Sequence, residues 1–207
     1  MVIDRTNTQL QLGLLLGRIR EVMSAAFDRY LALDPAVRAS LSPRSIASIT
    51  HDFIIENALR LLADAPGVTW ELRGGLFLAY IETEWVVYVL RFKKLDQRLR
   101  FRGIATRQYS NFVNQIQPSL PGLGLIPLSE LPFVNLVAGY ILNELRTELE
   151  SVHMVCPGGK EHRWTFEILR QEELGVLTIP SAGVPQPTRP RVAVRGEAVA
   201  DQGVGSE

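Results

Sequence analysis

The sequence predicts an α+β protein in which N-terminal helices pack on a mostly antiparallel sheet of about five strands. Two observations support this fold class. Apolar residues recur at three- and four-residue steps through residues 8–62, as on the buried face of a helix. After residue 67 the pattern changes to short β-branched and aromatic runs separated by turn residues, which is typical of strands. With 207 residues, the chain is long enough to bury a substantial core in one domain.

Three parts of the chain differ in composition. Residues 1–66 carry the helical pattern and residues 67–180 the strand pattern, and we expect both to belong to the same domain. Residues 181–207 contain Pro, Gly, Ala, Val and charged residues without a period. Such a composition cannot bury enough apolar surface to order itself, so it predicts a disordered tail.

Two long helices are predicted in the N-terminal part. The first runs from Thr8 to about Leu33 and ends near Asp34-Pro35. The second begins at Ser42-Pro43, where a capping serine is followed by proline at the first helical position, and Pro66-Gly67 lies just beyond its end.

A hairpin follows over residues 76–92. Residues 76–81 and 85–92 are strand-like runs separated by Glu82-Thr83-Glu84. Both faces of the second run are apolar, and the predicted helices are expected to cover only one of them. We therefore expect a protein partner or a homodimer through this hairpin.

Five further elements are predicted along the rest of the chain. Residues 98–102 alternate like a short strand, and a helix is the alternative over this stretch. Thr106 can cap a helix that ends before Pro118. Residues 134–142 resemble a buried strand. A second hairpin is expected over residues 152–168. If it pairs Met154 with Phe166, His153 faces Glu167 across the two strands.

Composition limits the classes of protein that this chain can belong to. Its formal net charge is zero and it has a single cysteine, Cys156, which excludes a disulfide framework and is compatible with a reducing compartment. The first residues lack a basic region followed by an apolar core, so no signal peptide is expected. These features predict a soluble cytoplasmic protein with no membrane partner and no cofactor.

The strongest functional signal is a basic segment over residues 91–107. It holds seven cationic residues against one acid, Asp96, with aromatic residues between them. Cations could neutralise phosphates and aromatic rings could stack on bases, so the segment predicts a site for DNA or RNA. An alternative is that these cations pair with the acidic C-terminal half. The candidate nucleic-acid-binding residues are Arg91, Lys93, Lys94, Arg98, Arg100, Arg102 and Arg107.

A metal-dependent nuclease would need acids and a lysine close together. Glu71 could fall opposite Lys94 if the first predicted strand extends back through residues 74–75, and Glu56 lies on the neighbouring helix. These three residues are the candidate catalytic set. Glu56 also stands four residues before Arg60, where an ordinary helical ion pair is expected instead.

His153, Cys156 and His162 are close in sequence but do not predict a metal site. An offset of three places His153 and Cys156 on opposite faces of a strand. A zinc site also needs four ligands, or three and a water, and no fourth candidate is present nearby. Cys156 is expected to be a small core residue beside Trp164.

Three functions remain compatible with the sequence. The first is a non-catalytic bacterial interaction or regulatory protein, of the kind found in mobile-element, toxin–antitoxin or phage-defence operons. The second is a nucleic-acid-binding protein that uses the basic segment. The third is a metal-dependent nuclease-like hydrolase.

Overall fold

A computed structural model describes residues 4–73, 76–101, 106–116 and 131–170. The predicted α+β class is confirmed, with one more strand than expected. The helices are α1 (Arg5–Leu31), α2 (Pro35–Ser40), α3 (Pro43–Leu62) and α4 (Arg107–Val113). The strands are β1 (Val68–Arg73), β2 (Leu76–Glu82), β3 (Val87–Lys94), β4 (Phe133–Leu142), β5 (Leu149–Gly158) and β6 (Glu161–Glu167). The predicted tail, residues 181–207, and Arg102 lie outside the described residues.

Side-chain caps explain where the N-terminal helices begin. Asp4 accepts a hydrogen bond from the backbone N–H of Asn7 at 2.8 Å, and Ser42 accepts one from Ser45 at 3.1 Å. The same chemistry starts α2, because the Asp34 carboxylate accepts from the Ala36 N–H at 2.7 Å. The sequence did not locate this short third helix, since six residues carry too little periodicity to separate it from a turn.

The six strands form one sheet in chain order, β1 to β6. Every neighbouring pair is antiparallel except β3 and β4, which run parallel. The second predicted hairpin is present. It pairs Met154 with Phe166, and with that register His153 lies opposite Glu167. Strand β1 was missed as a separate element: it forms its own hairpin with β2 instead of extending it.

The main core lies between the sheet and the helices. α1 contacts β5 and β6, whereas α3 contacts β3. Alternate strand residues point into this layer. The ring centroids of Phe77 and Phe92 are 5.9 Å apart, and Leu136 and Met154 belong to the same buried cluster. We call this side of the sheet the helix face.

The opposite side, the outer face, carries a smaller core. Leu78 and Val89 on it are buried together with Val137, Leu95 of the segment after β3, and Phe112 of α4. The described apolar side chains of β2 and β3 are therefore covered on both faces within the chain, whereas Trp85 in the turn between them is 59% exposed. The partner expected there stays a prediction.

The side chain of Gln115 joins α4 to the sheet. Its amide accepts a hydrogen bond from the Asn135 N–H at 2.7 Å and donates to the carbonyls of Asn135 at 2.8 Å and Pro157 at 2.9 Å. Proline has no N–H to offer to a strand ladder, and the register between β5 and β6 shifts at Cys156 and Pro157. Gln115 thus takes the place of ladder bonds and anchors the end of α4.

Within the described ranges, no helix combines the length and apolar character needed to cross a membrane.

Candidate anion-binding cleft

A cleft of about 620 Å³ lies where the parallel strands β3 and β4 both end. The ends of two parallel strands open on the same edge of a sheet, a position where many sheet proteins bind ligands. The cleft is bounded by α3, by the segment after β3 and by the turn after β4. Its ionisable side chains, apart from one tyrosine, are His51, Lys93, Lys94, Asp96, Arg100, Glu144 and Arg146.

The cations in the cleft are only partly neutralised. Arg100 is paired with Asp96 at 2.8 Å. Among the described residues, Lys93, Lys94 and Arg146 form no ion pair. Partial burial lowers the pKa of Lys94, and the nearby Arg146 lowers it further. Burial also lowers the pKa of Lys93, with a smaller effect from the like charge of Arg91.

His51 is a site residue that the sequence did not indicate. It lies on α3 and lines the cleft. Burial lowers its pKa, the charge of Lys93 lowers it further, and Asp52 opposes both effects. His51 is therefore held neutral near pH 7, where a neutral imidazole can donate or accept a hydrogen bond.

The first wall is a tight turn over residues 95–101, which we call the basic turn. The carboxylate of Asp96 accepts from the N–H groups of Arg98 and Arg100 at 2.9 Å and from the Arg100 Nε, also at 2.9 Å. The hydrogen bond from Arg100 is the main cause of the lowered pKa of Asp96. Over residues 98–101 this turn stands where a strand was predicted, and Leu99 in it has φ 60°.

The basic turn is attached to β6. The carbonyl of Leu99 lies 2.9 Å from His162 Nε2, and the Phe101 ring is stacked on the His162 ring at 6.0 Å. A single bridge between Leu95 and Phe101 closes the turn. These contacts fix the position of Arg100 at the rim of the cleft.

The second wall is the turn over residues 143–148, the β4–β5 turn. The backbone carbonyl of Asn143 accepts a hydrogen bond from the Arg146 N–H at 2.9 Å. The side-chain oxygen of Asn143 accepts one from the Thr147 N–H at 2.8 Å. Arg146 has φ 56°, in the left-handed region that non-glycine residues seldom adopt. Arg146 is the second site residue missed from the sequence, because only folding brings it near a lysine 52 positions earlier in the chain.

The seven predicted basic residues do not share one surface. Lys93, Lys94 and Arg100 line the cleft. Arg91 lies instead on the outer face, with its guanidinium carbon 4.0 Å from the centroid of the Phe112 ring. Desolvation lowers the pKa of Arg91. Arg98 and Arg107 are exposed.

The three candidate catalytic residues lie apart. Glu56 is on α3, on the helix side of the sheet, where it pairs with Arg29 at 2.8 Å and not with Arg60. Glu71 is opposite Leu78 on the outer face and accepts a hydrogen bond from Tyr80 at 3.2 Å. Lys94 is in the cleft. The sheet separates the two acids, so the structure does not assemble this set.

The two histidines and the cysteine near the second hairpin also have separate partners. His153 Nε2 lies 2.9 Å from the Ser151 hydroxyl, and Cys156 is buried opposite Trp164. Burial raises the pKa of the Cys156 thiol to about 11. Across the described ranges, no three His, Cys, Asp or Glu side chains gather closely enough to hold a metal ion.

Comparison with family models, curated proteins and solved structures finds no match for this chain.

Proposed function

We propose that this chain is a nucleic-acid-binding protein that holds a phosphate group of the nucleic acid in the cleft. The observation that carries the proposal is that Lys93, Lys94 and Arg146 line one cleft and that none of them is paired with an acid among the described residues. Holding like charges together costs free energy, which a bound phosphate offsets. The cleft is therefore better suited to an anion than to an apolar ligand.

The lining favours recognition of phosphate over recognition of bases. Both aromatic rings that line the cleft are almost wholly buried, with Phe92 2% and Tyr140 4% exposed. Neither ring offers a face on which a base could stack. Phosphate contacts bind without reading sequence, so we expect similar affinity for oligonucleotides of different sequence.

The test is fluorescence anisotropy with labelled duplex DNA, single-stranded DNA and RNA at several salt concentrations. The double variant Lys93→Gln/Lys94→Gln should bind weakly and, on duplex DNA, flatten the dependence of log K on log salt by close to two units. The matched control is Arg5→Gln/Arg18→Gln, which removes two exposed charges from α1. Equal losses in both variants, or wild-type protein that binds no nucleic acid at about 50 mM salt, would refute the proposal.

A second candidate function is contact with a protein at the edge of the sheet. β1 pairs only with β2, and no described strand occupies its other edge. Trp70 is 47% and Leu72 52% exposed on it, although edge strands usually avoid exposed apolar side chains. The variant Trp70→Ser/Leu72→Ser should abolish any self-association seen by sedimentation. This function would be excluded if the wild-type protein is monomeric at tens of micromolar and also binds no peptide as an added strand at the edge of β1.

A further inference from the structure

We propose that the cleft is a site for a phosphate monoester, the group found at the end of a nucleic-acid strand or on a free mononucleotide. This inference rests on the proposed function and adds which phosphate occupies the site. Three features support it: the charge of the cleft, the arrangement of its donors and the rigidity of the turn that carries Arg146.

The charge of the cleft fits a dianion better than a monoanion. The Arg100–Asp96 pair is internally neutral, which leaves Lys93, Lys94 and Arg146 against Glu144. The remaining formal charge is about +2. A phosphate monoester carries about −1.5 to −2 near pH 7, whereas each internal phosphodiester carries about −1. A monoester therefore comes closer to balancing the site.

The donors come from different sides of the cleft. Lys93 and Lys94 end β3, His51 lies on α3 and Arg146 on the β4–β5 turn. A monoester offers three terminal oxygens that can accept from several directions, and an internal diester offers two. Arg146 can bind two of these oxygens at once with its planar guanidinium, which a lysine cannot do.

The β4–β5 turn is held in place by its own hydrogen bonds. The side-chain oxygen of Asn143 accepts from the N–H groups of Thr147 at 2.8 Å and Glu148 at 3.3 Å, and the Asn143 amide donates to the Thr147 hydroxyl at 3.0 Å. The Asn143 carbonyl holds the backbone of Arg146. Because this backbone is already ordered, binding costs less entropy than it would in an unstructured loop.

The experiment compares one labelled oligonucleotide with and without a 5′-phosphate, at fixed salt, by anisotropy. We expect the phosphorylated form to bind about tenfold more tightly, the gain typical of one charge-assisted contact. Arg146→Gln and, independently, Lys94→Gln should reduce this ratio towards one. Arg98→Gln is the control, because Arg98 is exposed in the basic turn and does not line the cleft. Thermal melts of each variant verify that it folds.

Competition with inorganic phosphate and with a 5′-mononucleotide distinguishes the sources of the monoester. Displacement of the phosphorylated oligonucleotide by the mononucleotide at similar concentration would show that the monoester alone is recognised. If only longer phosphorylated strands displace the labelled oligonucleotide, the site is assigned to strand ends. Displacement by the mononucleotide and displacement only by longer strands both support the inference. Equal affinity for the two oligonucleotides would overturn the inference and leave the proposed function intact. Absence of binding to both would overturn the proposed function as well.

Discussion

Replacement of Gly139 by alanine tests the contact that positions the basic turn beside the sheet. A Cβ at Gly139 would lie 2.4 Å from Leu95 Cγ and Cδ1, whereas carbon atoms normally approach to about 3.5–4.0 Å. Leu95 is 3% exposed, and its N–H donates to the Tyr140 carbonyl at 2.9 Å. Neither the side chain nor the backbone has room for a shift of more than about 1 Å without disturbing its neighbours.

The expected effect is a net destabilisation. Overpacking of this kind costs about 1–3 kcal/mol. The smaller entropy of the unfolded chain with alanine offsets about 0.4–1 kcal/mol of it. Gly139→Ala should therefore lower the free energy of unfolding by about 1–2 kcal/mol in urea denaturation followed by circular dichroism. Because Leu95 begins the basic turn, nucleic-acid affinity should fall in the same variant.

Two further variants make the test specific. Gly17→Ala, at a helical position where an added Cβ meets no atom within 4 Å, should be neutral or stabilising by up to about 1 kcal/mol. In a double-mutant cycle, Leu95→Ala leaves space that the new methyl group can occupy. The loss of unfolding free energy in the double variant Gly139→Ala/Leu95→Ala should then be about 1 kcal/mol smaller than the sum of the losses in the two single variants. A neutral Gly139→Ala, or additive losses in the cycle, would refute the packing argument.

Three other predictions follow from the hydrogen bonds and pKa values. Gln115→Ala should lower the free energy of unfolding by about 2–4 kcal/mol, because it leaves the N–H of the buried Asn135 without a partner. In urea denaturation the control Gln108→Ala, at an exposed position, should change the free energy of unfolding by no more than about 0.5 kcal/mol. His51 has a pKa lowered on folding, so the unfolded chain binds its proton more readily; stability should fall as the pH drops from about 7 through 6.5 to 5, and His51→Gln should reduce that slope. The thiol of Cys156, buried and with its pKa raised to about 11, should resist alkylation at about pH 8 in native protein and react after unfolding; fast native labelling would contradict its burial.

Local patterns were sufficient for the elements whose contacts are close in sequence. The periodicity of residues 8–33 and the Ser42-Pro43 signal predicted two helices whose ends the structure moves by only a few residues. The second hairpin was also predicted, and its short turn fixes the register in which Met154 pairs with Phe166 and His153 faces Glu167. The signal for β1 was weaker, since its residues alternate over only six positions and two large apolar side chains remain exposed.

The sequence by itself determined the α+β class, the long helices, both predicted hairpins and the presence of a basic segment. The tertiary structure decided which of those cations act together. The parallel pairing of β3 with β4 brings together strand ends that are far apart in the chain, and this pairing places Arg146 beside Lys94 and sets Arg91 apart under α4. No local pattern specifies such a pairing, because it depends on the burial of two sheet faces by α1, α3 and α4 at once. The cleft is for this reason a property of the fold, and the basic segment contributes only part of it.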